Sequence, residues 1–236
     1  MAAAWLGGVP REEAAPATVP QVWAATGATW QDTDSLTSAT LDDGRVRVFA
    51  TSKGGDRVHV LDGDTGKLIA DYTGGDDGLR YPNGIATVDF TVGEQDGRPR
   101  RRPCILVVER DNARVHAFWG DTLRPAGTFG GDELHRPYGI AVSQRDDRVL
   151  VYITNTEVPL DRTVQVYELA RSGERVSGRP VRSFGATDGP GVIRVAESVL
   201  VDDRYDRVFL CNEDDAEQCV KVYDRDGRFT GPATAC

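Results

Sequence analysis

Polar and apolar residues alternate in short runs along most of this chain, and the runs repeat. Four segments superimpose: RVHVLDGDTGK (57–67), RVHAFWGDTLR (114–124), TVQVYELARSG (163–173) and CVKVYDRDGRF (219–229). Their second residues, Val58, Val115, Val164 and Val220, fall at steps of 57, 49 and 56 residues. Each segment alternates with period two and then meets Gly or Asp, the pattern of a half-buried strand entering a hairpin. A more apolar strand precedes each one: 45–52, 104–110, 148–154 and 207–213. Ahead of those lies a third set, 35–41, 83–90, 138–144 and 197–203. A fourth set follows, at 68–74, 126–131, 181–186 and in the TGPAT tail. Four antiparallel strands at a period near 50 residues predict the blades of a β-propeller. The fold class expected is therefore all-β, with about four recognisable repeats. A β-sandwich would not account for the repetition, and no segment carries a sustained helical period. The propeller is expected over 29–236, with 1–28 as a weakly ordered leader or a truncated start.

Composition agrees. The chain has 236 residues, 39% of them hydrophobic, with 26 glycines and 12 prolines for its many turns. No apolar run approaches the roughly 20 residues that cross a bilayer, and the N-terminus lacks the basic region of a signal peptide. The net charge of −9 argues against general nucleic-acid binding, which needs a positive field. The one basic run, RPRRR (98–102), reads as a solvated loop between repeats. Cys104, Cys211, Cys219 and Cys236 have neither zinc nor CxxC spacing. Cys104 and Cys211 read as small core residues, and a Cys211–Cys219 bridge is conceivable without being indicated. His59 and His116 hold equivalent strand positions and read as structural. GDTG and DRDG resemble calcium-loop fragments but fall where each repeat needs a turn.

In a blade the first strand lines the central channel. Its start meets the end of the second strand at one axial face. Those places hold Asp34 and Lys53 in the first repeat, Asn83 and Arg110 in the second, Tyr138 with Asn155 and Thr156 in the third, and Glu197 with Glu213 in the fourth. Asp214 and Asp215 extend the last acidic cluster. Oxygen donors such as Asp34, Glu197, Glu213 and Asp214 suit a hard cation, Ca²⁺ above all. Lys53 and Arg110 add fixed positive charge, and arginine grips phosphate through a bidentate fork. The mixture predicts a small polyanion held jointly by cations and basic side chains, since bound metal inverts the local field of an acidic protein. Strand-end Asp, Asn and Glu also commonly satisfy loop backbone. Glu197 and Glu213 go further, because two close carboxylates repel unless they share a cation or a proton.

With these residues in place, the chain resembles the β-propeller phytases, calcium-dependent phosphatases acting on inositol hexakisphosphate. The resemblance spans about residues 30–230 and is carried by ATSKGGDRVHVLDGDTG, VVERDNARVHAF, RPYGIAV and VAESVLVDDRYDRVFLCNEDD. It implies Ca²⁺ as cofactor and phytate as substrate. It implies calcium-liganding or water-orienting roles for Asp34, Tyr138, Glu197 and Glu213, with phosphate contacts from Lys53, Arg110 and Asn83. It also implies a secreted or periplasmic protein. Ser35 stands where many members have a second Asp, Leu36 where they have Pro, and Thr156 where some have Lys, with Arg162 nearby. The family propeller has six blades, so this chain is expected to be a fragment or a shortened relative. Two other readings are a calcium-dependent lactonase-type propeller and a non-catalytic NHL-like interaction propeller.

Overall fold

The computed structural model describes residues 23–145, 147–215 and 217–232. Sixteen strands form four antiparallel sheets of four, each in plain meander order. The first sheet holds β1 (Thr33–Thr40), β2 (Val46–Ser52), β3 (Arg57–Asp62) and β4 (Leu68–Tyr72). The second holds β5 (Pro82–Gln95), β6 (Arg98–Glu109), β7 (Arg114–Trp119) and β8 (Pro125–Gly130). The third holds β9 (Pro137–Arg145), β10 (Arg148–Asn155), β11 (Val164–Ser172) and β12 (Arg175–Phe184). The fourth holds β13 (Ala196–Asp202), β14 (Arg207–Asp214), β15 (Glu217–Asp224) and β16 (Phe229–Pro232). This is the all-β propeller arrangement that the repeats predict. The connections between sheets include short 3-10 turns, and among the described residues no helix is long and apolar enough to cross a membrane.

Three apolar cores lie between successive sheets. Phe49, Val58 and Val60 meet Ile105, Val107 and Phe118. Leu106, Val108 and Trp119 meet Val151, Ile153 and Tyr167. Tyr152 and Val166 meet Val208, Leu210 and Tyr223. β-branched and aromatic residues suit this position because both faces of an inner sheet must be apolar. Each fully buried side chain of the Val, Leu or Phe type contributes roughly 1.5–3 kcal/mol. The innermost strands pack in sequence, β1 beside β5, β5 beside β9 and β9 beside β13. Among the described residues β13 has no comparable packing with β1, so the four sheets form an arc. At its two ends, Leu36 and Leu200 are 71% and 62% exposed.

Two positions explain the repeated Gly-Ile of NGIA and YGIA. A Cβ on Gly84 would stand 2.6 Å from the Tyr138 carbonyl oxygen, and one on Gly139 would stand 2.4 Å from the Glu197 carbonyl oxygen. Neighbouring inner strands touch there, and only glycine leaves the room.

Some expectations need correction. RPRRR is not a loop between repeats. It opens β6 and pairs with the end of β5 in a long hairpin inside the second blade. Its Arg102 stacks on Trp119 with 4.2 Å to the ring centre and pairs with Asp121 and Glu174. Cys104 is core, but Cys211 is an exposed free thiol, which removes a Cys211–Cys219 bridge. Residues 23–28, assigned to the leader, are docked: Trp23 donates its indole N–H to the Gly63 carbonyl at 2.8 Å, and Thr26 bridges to Lys67. The rest of that leader, 1–22, lies outside the described residues, as does Cys236. The GDTG segment is a turn, as expected. The Asp62 carboxylate accepts from the backbone of Asp64 and Thr65 and from the Thr65 hydroxyl.

Candidate functional site

Each inner strand carries a register irregularity at the same place near its start, and β5 has a second one between Thr91 and Gly93. The shifts lie between Thr33 and Leu36, Pro82 and Ile85, Pro137 and Ile140 (opposite Asn155 and Ile153), and Ala196 and Val199. Asp34, Asn83, Tyr138 and Glu197 are therefore structurally equivalent, each the first residue of a bulge. A bulge re-aims its side chains out of the regular alternation. Residues 34–36, 84–85, 138–140 and 197–199 line one axial cavity of about 390 Å³. All four blades contribute to it.

The second strands supply the other half. Ser52, Glu109 and Asn155 end β2, β6 and β10, Asn212 lies two residues before the end of β14, and all four are buried. Each side chain accepts from backbone N–H of the loop entering its own blade. Ser52 takes Gln31, Glu109 takes Arg80, Asn155 takes His135, and Asn212 takes Arg194 and Val195. This latch closes the entry loop onto the inner strand. The next residue along is Lys53, Arg110, Thr156 or Glu213, so the latch fixes the variable residues at the axial face. Sequence reasoning missed it. The signal was present as one polar residue at or near the end of each second strand, but Ser, Glu, Asn and Asn share no obvious motif.

Lys53 lies inside the mouth. Its ammonium is 3.1 Å from the Asp34 carboxylate and 3.5 Å from the Tyr138 hydroxyl. The Tyr138 hydroxyl donates to the same Asp34 oxygen at 3.1 Å. Burial alone would lower the Lys53 pKa, but the hydrogen bond and charge of Asp34 hold it above its ordinary value. Burial, with the charges of Asp34 and Glu197, pushes the Tyr138 hydroxyl up to about 12, so it remains a proton donor. Glu197 is hydrogen-bonded to Glu213. Burial comes first, then that bond and the Glu213 charge, then Asp34, and together they push Glu197 up to about 7. Glu197 therefore keeps its proton up to near neutrality, as a partly buried carboxyl beside another does.

Arg110, just past β6 in the second blade, turns onto the Tyr81 ring that Lys53 also approaches. Its guanidinium lies 3.4 Å from the centre of the Tyr81 ring and its Nε donates to Asp111 at 2.8 Å. The Lys53 ammonium is 5.9 Å from that same ring centre. Tyr81 was not singled out from the sequence. It immediately precedes PNGIA as Arg136 precedes PYGIA, and that alignment could have found it. Asn83 is fully buried. Its amide nitrogen donates to the Pro137 carbonyl at 3.4 Å, and its Oδ1 has no partner. Asp214 pairs with Arg194 at 3.4 Å and does not line the cavity. The Thr156 hydroxyl donates to the Arg136 carbonyl. Ser35 lines the cavity at the Asp34 bulge, and its backbone N–H donates to the Thr51 hydroxyl.

Asp34, Glu197 and Glu213 each offer carboxylate oxygens, the donor type that a hard cation takes. In the structure Lys53 pairs with Asp34 at 3.1 Å, and Glu197 holds its proton up to about pH 7. Among the described residues, no group of three or more His, Cys, Asp or Glu is already gathered in metal-binding proximity. A cation would therefore compete with both.

No protein-family model matches the chain, and no curated protein matches it. Solved structures do. A functionally unknown protein from Desulfotomaculum acetoxidans is 16% identical at TM-score 0.57, over 86% of this chain and 58% of its own. Hydrazine synthase from Kuenenia stuttgartiensis is 15% identical at 0.53, over 88% and 51%. A Bacteroides uniformis protein provisionally named a 6-phosphogluconolactonase is 15% identical at 0.51, over 82% and 52%. The chain thus spans a little over half the length of each. At these identities the likeness establishes the propeller fold and nothing finer.

Proposed function

We propose that the axial mouth binds a polyanionic phosphate ester and, with calcium on its carboxylates, hydrolyses it in the manner of a phytase. The observation that carries this reading is the meeting of opposite charges at one mouth. Lys53 and Arg110 flank the Tyr81 ring, and Asp34 and Glu197 stand on inner strands beside them, with Glu213 on β14 against Glu197. A neutral substrate gives the two cations no task; a phosphoryl oxygen gives both one.

Calcium bound to the carboxylates would polarise the phosphoryl group and lower the pKa of a bound water. Asp34, Glu197 and Glu213 would hold it, with Asn83 Oδ1 as a neutral oxygen on the adjacent bulge. Lys53 and Arg110 would orient the phosphates. The Tyr138 hydroxyl, kept protonated, would donate a hydrogen bond to the developing charge. The test is release of inorganic phosphate from phytate with calcium and with EDTA, for the unaltered chain and for Lys53→Ala and Arg110→Ala. Calcium-dependent release lost in both variants supports the reading; release indifferent to calcium and to both residues ends it.

A second reading has one observation behind it. The Bacteroides uniformis neighbour bears a lactonase name, and a phosphorylated sugar lactone would place a phosphate on Lys53 and Arg110 and an ester near the hydrogen-bonded Glu197–Glu213 pair. Hydrolysis of such a lactone, measured beside phytate, separates the two.

A further inference from the structure

We infer that Tyr81 is a positioning residue that sets the two phosphate-binding cations of the mouth at a fixed spacing, an inference that rests on the phosphate-ester reading above. Its ring is the surface shared by residues from two blades. Arg110, from the second blade, lies over it at 3.4 Å, and the Lys53 ammonium, from the first, stands 5.9 Å from its centre. Aromatic faces attract both kinds of cation, and guanidinium most readily stacks in plane.

The backbone at Tyr81 is arranged for this. Its φ is +49°, in the left-handed region that bulky side chains rarely adopt. Asp32 and Arg136, immediately before β1 and β9, have φ of +56° and +44°, so the left-handed residue belongs to the entries of the first three blades and not to tyrosine. What differs is the side chain that this entry presents. In the first blade it is Asp32, 3.6 Å from Lys53, and in the third it is Arg136, paired with Glu157 at 2.8 Å. Only the second presents a ring. A contact across blades holds that ring in place: the Tyr81 backbone N–H donates to the Asp56 carboxylate of the first blade at 2.7 Å. The Glu109 latch holds the other side, binding the Arg80 N–H at 2.9 Å just before Tyr81 while Arg110 follows it in sequence.

Among the described residues the ion-pair partner of Arg110 is Asp111, and that carboxylate is half exposed. Without the ring, the guanidinium is tethered to a flexible surface carboxylate alone. Two cations at a set distance distinguish a substrate with two neighbouring phosphates from one with a single phosphate. Tyr81 should therefore govern preference for a polyphosphorylated ligand over a monophosphate.

The experiment is calorimetric titration of phytate and of inositol monophosphate into the intact chain and five variants: Tyr81→Asn, Tyr81→Phe, Lys53→Ala, Arg110→Ala and the Tyr81→Asn/Arg110→Ala double. Asparagine tolerates the left-handed backbone, so it removes the ring and keeps the entry. Tyr81→Asn should weaken phytate binding about threefold to tenfold, the range of a partly desolvated cation–π contact, and leave monophosphate binding within about twofold. Tyr81→Phe should restore phytate binding. The double variant should be no weaker than Arg110→Ala alone, because Tyr81 acts through that side chain. If Arg110→Ala weakens phytate binding and Tyr81→Asn does not, or the two effects add, the positioning role is overturned while the phosphate reading stands. If neither Arg110→Ala nor Lys53→Ala changes phytate binding, the phosphate reading falls and takes this inference with it. Should Tyr81→Asn fail to fold, Tyr81→His keeps an aromatic ring of altered stacking and must give an intermediate affinity.

Discussion

Glu197, at the bulge of β13, is hydrogen-bonded to Glu213, one residue beyond the latch Asn212 on β14. Burial and the neighbouring Glu213 hold a proton on Glu197 up to about pH 7. Each has a local reason to be where it is, the bulge for one and the latch for the other. Their closeness is the sum of the two.

The first prediction concerns pH without metal. Glu197 ordinarily titrates at 4.5 and does so at about 7 in the folded chain. Between those values the folded state holds a proton that the unfolded state has lost. The pair's contribution to stability is therefore intact below pH 4.5 and is lost as pH rises through about 7. Melting temperature in EDTA should fall over that window, and Glu197→Gln should flatten the fall. A wild-type profile that is level from pH 4.5 to 7 would refute the retained proton on Glu197.

The second concerns calcium. Binding should raise the melting temperature, by about 2.7 kcal/mol of stability at a hundredfold excess over the dissociation constant. Glu213→Gln should leave apo stability unchanged or raise it, since a like-charge contact is relieved, and should diminish the calcium response. A variant that loses apo stability yet keeps the full calcium response would assign the carboxylates to the fold and not to the ion.

The third concerns the latch. Asn212→Ala leaves the N–H groups of Arg194 and Val195 and the Glu217 carbonyl without their buried partner. The cost should be roughly 1–3 kcal/mol in urea unfolding. Asn212→Ser, which copies the first blade's latch, should recover part of it. Equal losses for both would mean that the site only needs volume.

The fourth concerns the close approach of the inner strands. Gly139→Ala places a methyl group 2.4 Å from the Glu197 carbonyl oxygen. Neither strand can yield without moving the cavity wall, so the change should destabilise by about 1–3 kcal/mol and weaken calcium binding together. Ser198→Ala, the equivalent position on β13, meets no further sheet among the described residues and should be nearly neutral by the same unfolding assay.

Strand positions were legible because the side-chain alternation of a strand is local: RVHVLD and CILVVE announce themselves within six residues. The RPRRR run was misread because charge there suggested solvent. A long hairpin can keep its arginines in water and still pair its backbone, and Arg102 can lay its guanidinium on Trp119. Cys211 was misread for the opposite reason. Its strand is apolar, but it faces away from the third sheet, where no described sheet covers it.

By itself the sequence determined the period, the sixteen strands and the set of polar residues at the axial ends, because each depends only on near neighbours. Which of those residues meet was decided by tertiary structure. Asp34 reaches Lys53 and Tyr138, Arg110 turns onto Tyr81, and Asp214 turns away to Arg194. These choices depend on a bulge shifting the register, on latches closing the entry loops, and on glycines letting inner strands touch. Each is a contact between segments tens of residues apart, and no local pattern of polar and apolar positions encodes the distance between them.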